Sequence, residues 1–171
     1  MTKIISGTEL AKKLRGEIKE EATVDAEVKR VLDIDHVIVV EEFVEGREFT
    51  VSVLDGKALP VIEIRPHSGE YDYASKYTTG ATDYLVPAPI TEEQAAAMQR
   101  IGESVYQQMQ CAGVIRVDIM MNSTDDMFVL EYNTVPGMTA TSLVPKAARA
   151  VGIEFPELCE QILQSAGLHK F

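Results

Sequence analysis

The chain has 171 residues, 46% of them hydrophobic and 25% charged, which is enough apolar material for one substantial core and argues against native disorder. Its formal net charge of -11 repels phosphate backbones and anionic membrane surfaces, excluding nucleic acid and membrane as expected partners while leaving room for a nucleotide wherever local cations or a metal reverse the field. No apolar run reaches the roughly 18 residues of a membrane span, and Met1-Thr2-Lys3-Ile4-Ile5-Ser6 is too short and polar for a secretory signal, so a cytoplasmic location is expected.

The first element in chain order is a helix over about Thr8 to Ala22, where Leu10, Leu14 and Ile18 recur at helical spacing and Thr8 can cap. From Val37 the period changes to that of strands: Val37 to Val40, Glu48 to Leu54, and Ala58 to Ile64, the last two joined by Asp55-Gly56 as an antiparallel hairpin. Residues 66–82 are rich in Gly, Ser, Thr, Tyr and Asp, without either period, and read as a long loop of the kind that carries function or disorder. Thr91 with Gln94 forms a capping box for a helix running to Gln110, with Met98, Ile101, Val105 and Met109 along one stripe. Val114 to Met121 and Met127 to Tyr132 are strands around a turn at Asn122 to Asp126, and short helices near Pro145 to Val151 and Pro156 to Ala166 close the chain. Cys111 and Cys159 lack metal-ligand spacing and read as small buried hydrophobes. The fold class is therefore α+β, a mostly antiparallel sheet covered by helices.

The last hairpin carries the chemistry. With Thr124-Asp125 at its tip, Asp118 lies opposite Glu131 and Arg116 opposite Asn133. Strand side chains alternate, so these four share one face, while Val117, Ile119, Phe128, Leu130 and Tyr132 share the other. Two carboxylates that close repel unless a cation sits between them, and a hard cation such as Mg2+ takes oxygen ligands of this kind, an Asn carbonyl included. The bland alternative is the solvated face of an amphipathic hairpin, with Arg116 in a salt bridge to a neighbouring carboxylate.

Arg116-Val117-Asp118 with Glu131-Tyr132-Asn133-Thr134-Val135-Pro136-Gly137-Met138-Thr139 resembles the metal-binding strands and following loop of the D-alanine-D-alanine ligases, within the ATP-grasp family. The resemblance runs from Val37 to the carboxy terminus and implies an ATP-grasp carboxy-terminal subdomain. It implies that Asp118, Glu131 and Asn133 hold Mg2+ or Mn2+ and that ATP is the co-substrate. Glu41, Glu42, Phe43 and Val44 take the place of the family's adenine-binding connection, and Glu48 that of the carboxylate on the ribose hydroxyls. Tyr71-Asp72-Tyr73-Ala74-Ser75-Lys76-Tyr77 resembles the family's mobile omega loop, which closes over the phosphates, and implies an omega-type active-site loop over residues 66–82. There Lys76 would contact the transferred phosphate and Tyr77 would wall the acceptor site, where closure excludes water. Arg116 and the Gly137 amide would face the developing oxyanion, and Ser142 with Leu143 would hold the second D-alanine's carboxylate.

The family's amino-terminal domain, which binds the first D-alanine, and its Gly-rich phosphate loop have no counterpart in residues 1–171. The expectation is a partial ATP-grasp domain whose partners are D-alanine, ATP and the missing amino-terminal part, with the complete family member a homodimer. The implied reaction is ligation of two D-alanines through an acyl phosphate for peptidoglycan, with the chain inactive or nearly so alone. Two rivals are a ligase with another acceptor and a nucleotide-binding or scaffold module without turnover.

Overall fold

The computed structural model describes residues 28–29, 31–33, 36, 42–67 and 81–167. The expected helix over Thr8 to Ala22, the strand over Val37 to Val40, Glu41, and the loop segment bearing Lys76 and Tyr77 lie outside the described residues.

Strand β1, Arg47–Leu54, alternates polar Glu48, Thr50 and Ser52 with apolar Phe49, Val51 and Val53, as a strand covered differently on its two sides must. It turns at Asp55-Gly56, both with positive φ (46° and 80°), the backbone a two-residue hairpin of matching twist requires. The return strand expected over Ala58 to Ile64 is split into β2, Lys57–Ala58, and β3, Ile62–Pro66. Pro60 has no N–H to give a ladder, and the register against β1 slips by one residue between the two pieces. A strand that the sequence reading did not anticipate, β4 over Thr82–Leu85, pairs with β3. Pro66 and Thr82, the ends of the expected loop, are therefore strand partners, and the His67 N–H to Ala81 carbonyl bond of 2.9 Å closes the base of the connection.

Helix α1, Glu92–Gln108, starts at the expected capping box: the Thr91 hydroxyl accepts from the Gln94 N–H at 3.2 Å, and the Gln94 side chain accepts from the Thr91 N–H at 3.0 Å. Met98 is fully buried, whereas Met109 caps the helix and is exposed. Gly102, outside the expected stripe, is buried with Met98, and a Cβ there would stand 2.9 Å from Val51 Cγ1; the helix rides on β1 at this glycine. Strands β5, Val114–Met121, and β6, Met127–Asn133, precede α2, Leu143–Ala150, and α3, Phe155–Ser165. Cys159, expected inside, is exposed on α3, and Cys111 is half-buried.

The six strands form one antiparallel sheet in the order β4-β3-β1-β5-β6, with β2 paired to β1. One face, with Phe49, Val51, Val53, Ile115, Val117, Ile119 and Met121, packs on Met98 of α1. The opposite face carries Leu54, Ile62, Ile64 and Val114, packed with Leu143, Val144, Ala147 and Ala148 of α2 and Leu158 of α3. On that face β1 and β5 place Thr50, Ser52, Arg116 and Asp118, all buried. The α+β expectation stands, and its helices cover the sheet unevenly, leaving this polar island beside the second core. Among the described residues no helix is long and apolar enough to cross a membrane.

Candidate active site

The register of β5 on β6 puts Asp118 opposite Glu131 and Arg116 opposite Asn133, as expected. The outer half of the hairpin differs. A bulge falls between Asp118 and Ile119, so Ile119 pairs with Val129 and Met120 with Phe128, and Leu130 is the extra residue. Phe128 consequently lies on the Asp118 face, and Val129 takes its expected place on the other. The tip is the reason. Asn122 Oδ1 accepts from the Thr124 and Asp126 N–H groups, both at 2.9 Å, holding the expected Asn122 to Asp126 turn, but centred on Thr124 instead of between Thr124 and Asp125.

Asp118 is the centre of the site. Its Oδ1 accepts from Arg116 Nε at 2.9 Å and from the Thr50 hydroxyl at 2.6 Å, and its Oδ2 accepts from an Arg116 terminal nitrogen at 2.7 Å. Thr50 is the cross-strand partner of Asp118 on β1 and wholly buried, so the carboxylate is gripped from its own strand and its neighbour. The same Arg116 nitrogen stands 3.9 Å from Glu131 Oε1, whose side chain is 55% exposed. Glu48 lies one pair further along the same face, opposite Met120, so the expected ribose carboxylate and the expected metal carboxylates share one surface. Glu42, Phe43 and Val44 lead into β1 as irregular chain, with Phe43 82% exposed.

The donor set fits a hard divalent cation. All three expected ligands offer oxygen, and of the roughly four lone-pair directions of a carboxylate, Asp118 has three engaged and one left. Glu131 keeps its wet side open, and Asn133 Oδ1 accepts the Val135 N–H of its own loop at 2.9 Å. Among the described residues no group of three His, Cys, Asp or Glu is placed to hold a metal ion, and the third oxygen of the expected set is that of an amide.

The loop after β6 is organised by Ser142. Its hydroxyl accepts the Thr139 N–H at 3.0 Å and pairs with the Thr139 hydroxyl at 2.9 Å, while the Ser142 N–H reaches the Thr139 carbonyl at 3.0 Å. A Cβ on Gly137 would stand 3.0 Å from the Ser142 hydroxyl oxygen, so glycine permits the two to approach. The Leu143 side chain is buried in the core and leaves only its backbone to meet a ligand, in the first turn of α2 where N–H groups lack helical acceptors.

Three groups were not singled out in the sequence. Thr50 was legible in principle from the polar alternation of β1. Glu63 is buried on β3, bound by Arg47 at 2.9 and 3.0 Å and by Arg65 at 2.9 Å. Burial alone would push its carboxyl up, but the bonds and charges of the two arginines hold it below the usual range, and Glu63 in turn raises Arg47. Lys146 lies over the Tyr84 ring, 4.5 Å from its centroid, and burial, with Arg149 nearby, lowers its ammonium.

A family model described as D-ala D-ala ligase C-terminus matches residues 16–164. The D-alanine--D-alanine ligase of Methylacidiphilum infernorum is 47% identical over 148 residues, covering 86% of this chain and 48% of that protein. That of Anaeromyxobacter sp. (strain Fw109-5) is 51% identical over 131 residues, 77% of this chain and 42% of that one. The crystal structure of the Bacillus anthracis D-alanine--D-alanine ligase complexed with ATP superposes with a TM-score of 0.71 at 30% identity, covering 85% of this chain and 46% of the other. The VanG D-Ala:D-Ser ligase of Enterococcus faecalis shares the fold at 24% identity with a TM-score of 0.73, covering 95% and 55%. The chain spans about half the length of the curated relatives it matches. With the match running through both core clusters and the Arg116–Asp118 hairpin, the chain belongs to the D-ala D-ala ligase C-terminus family.

Proposed function

We propose that this chain supplies the nucleotide- and metal-binding half, together with the acceptor loop, of an ATP-dependent ligase that joins two D-alanines into D-alanyl-D-alanine for peptidoglycan. The observation that carries the reading is the polar island: Arg116 clamped on Asp118, with Glu131 and Asn133 opposite them, on the face that also bears Glu48. Family membership and the activity named for the relatives support it. Because ATP is the co-substrate, the cytoplasm is the compartment assigned.

Each residue has a defined task in this reading. Glu42 to Val44 offer backbone groups to an adenine edge, and Glu48 accepts from ribose hydroxyls; Glu41 belongs to the same connection. Asp118, Glu131 and Asn133 would hold Mg2+ or Mn2+, which when bound supplies positive charge to the nucleotide phosphates. Arg116 orients Asp118 through its two bonds to that carboxylate, and adds its own charge beside the phosphates and the anionic tetrahedral intermediate. The first D-alanine's carboxylate is phosphorylated by ATP; the amine of the second attacks that acyl phosphate, and phosphate leaves. The Gly137 N–H stabilises the oxyanion formed in that attack, while Ser142 and the Leu143 N–H hold the acceptor carboxylate. Lys76 and Tyr77 complete the site from the connection between β3 and β4, excluding water from the acyl phosphate.

The test is calorimetric titration of the 171-residue chain with ADP, with and without Mg2+, followed by an assay of ADP release with ATP, Mg2+ and D-alanine. Metal-dependent nucleotide binding that Glu131→Gln and Asn133→Ala weaken about tenfold or more is expected, with D-alanine-dependent turnover weak or absent until the amino-terminal part is added. Nucleotide binding that is unchanged by chelator and by both substitutions would overturn the metal assignment. Addition of the amino-terminal part of a relative without gain of turnover would favour a binding module.

A further inference from the structure

The acceptor loop is tied to the edge strand β4 beside the second core, and the tie passes through Lys146. Lys146 sits one turn into α2, its backbone N–H on the Ser142 carbonyl at 3.2 Å. Its Nζ donates to the Thr141 carbonyl, inside the loop that Ser142 organises, and lies 4.5 Å from the centre of the Tyr84 ring. Tyr84 belongs to β4, the strand by which the chain returns from the 68–80 connection. Tyr84 and Met138, a residue of the acceptor loop, also pack against the same core cluster. One ammonium group therefore bridges a loop carbonyl and an aromatic face on the neighbouring element, two partners that a cation satisfies together and a neutral side chain cannot.

We infer that Lys146 is a positioning residue: it holds the loop carrying Gly137 and Ser142 in the shape that receives the acceptor carboxylate, and couples that loop to β4 at the exit of the 68–80 connection. The acceptor role rests on the function proposed above; the brace itself does not. The ammonium fixes Thr141, and the Thr139–Ser142 bonds close the loop around it, so releasing Lys146 frees the middle of the loop while leaving α2 docked through Val144, Ala147 and Ala148.

Amide hydrogen exchange on the full 171-residue chain, read by NMR without nucleotide, tests the brace. In Lys146→Met the Thr139 and Ser142 amides should exchange about tenfold faster, with the β1 and β5 amides and the global unfolding midpoint unchanged. Lys146→Arg should restore the wild-type rates, since it keeps a donor and a cation, and Tyr84→Leu should show an intermediate effect. Equal exchange in Lys146→Met and wild type would overturn the inference, as would a uniform acceleration across the sheet. A wild-type rate in Tyr84→Leu would overturn the coupling to β4. Titration with D-alanine separates the two claims: a shift of the Ser142 amide in wild type that is lost in Lys146→Met supports the acceptor role. No D-alanine response in a wild type with the expected exchange pattern overturns that role and leaves the brace supported.

Discussion

Replacing Asp118 by alanine removes three hydrogen bonds at once: two from the Arg116 guanidinium, at 2.9 and 2.7 Å, and one from the Thr50 hydroxyl at 2.6 Å. The Arg116 side chain is 10% exposed, so its charge stays in the protein without its main counterion. Breaking a buried pair from one side costs about 3–5 kcal/mol, because the remaining charge keeps its desolvation penalty. Glu131, 3.9 Å away and half in water, recovers part of this, which places Asp118→Ala at roughly 3 kcal/mol in urea unfolding. The double variant Arg116→Met/Asp118→Leu removes both charges and should recover most of that stability, while binding no Mg-ADP. The two readouts therefore diverge: stability returns in the double variant and nucleotide binding does not. A loss below about 1 kcal/mol in Asp118→Ala would refute the view that this pair organises the island, since a typical single neutral hydrogen bond is worth that much. Full Mg-ADP affinity in the double variant would refute the site.

Glu63 ties β3 to β1 through Arg47 and also binds Arg65 of its own strand, both arginines partly exposed, and Glu63→Gln is expected to lose roughly 1–2 kcal/mol at pH 7. Its carboxyl is depressed in the folded chain, so its stabilisation is present above the unfolded carboxylate value and lost as pH falls through the lower folded one. The gap between wild type and Glu63→Gln in urea midpoints should accordingly be constant near neutrality and close below about pH 4; a gap that persists at pH 2 would contradict the charge argument. Gly46→Ala places a Cβ 2.1 Å from the Met121 carbonyl oxygen, a backbone atom that cannot swing away. A loss of about 2–3 kcal/mol is expected, and a midpoint within error of wild type would mean that β1 and β5 approach less closely there than the structure has them.

Much of the site was readable because strand alternation is rigid: once Arg116, Asp118, Glu131 and Asn133 fall on a hairpin, period two puts them on one face. The half of that hairpin beyond Asp118 was not readable, because a five-residue tip and a one-residue bulge offset each other and leave no pattern in the apolar residues. Capping of α1 by Thr91 and Gln94 is local chemistry and was legible; the seating of that helix on β1 at Gly102 is not, since a glycine beside a helical stripe reads as a gap until Val51 is seen above it. Strand β4 escaped because four residues give too short a period, and only Ile62–Pro66 beside it makes it a strand.

By itself the sequence determined the order of most elements, the α+β class, the facing pairs at the inner half of the hairpin and, through a long motif, the family. Those depend on short-range period, turn residues and side-chain type. Tertiary structure alone decided that Thr50 grips Asp118 from β1, that Glu63 is buried between Arg47 and Arg65, and that Lys146 joins Thr141 to Tyr84. Each of these joins residues from separate elements or sets a charge's surroundings. A chain shows which groups it carries, but which of them share a buried face depends on register, bulges and how closely the helices approach.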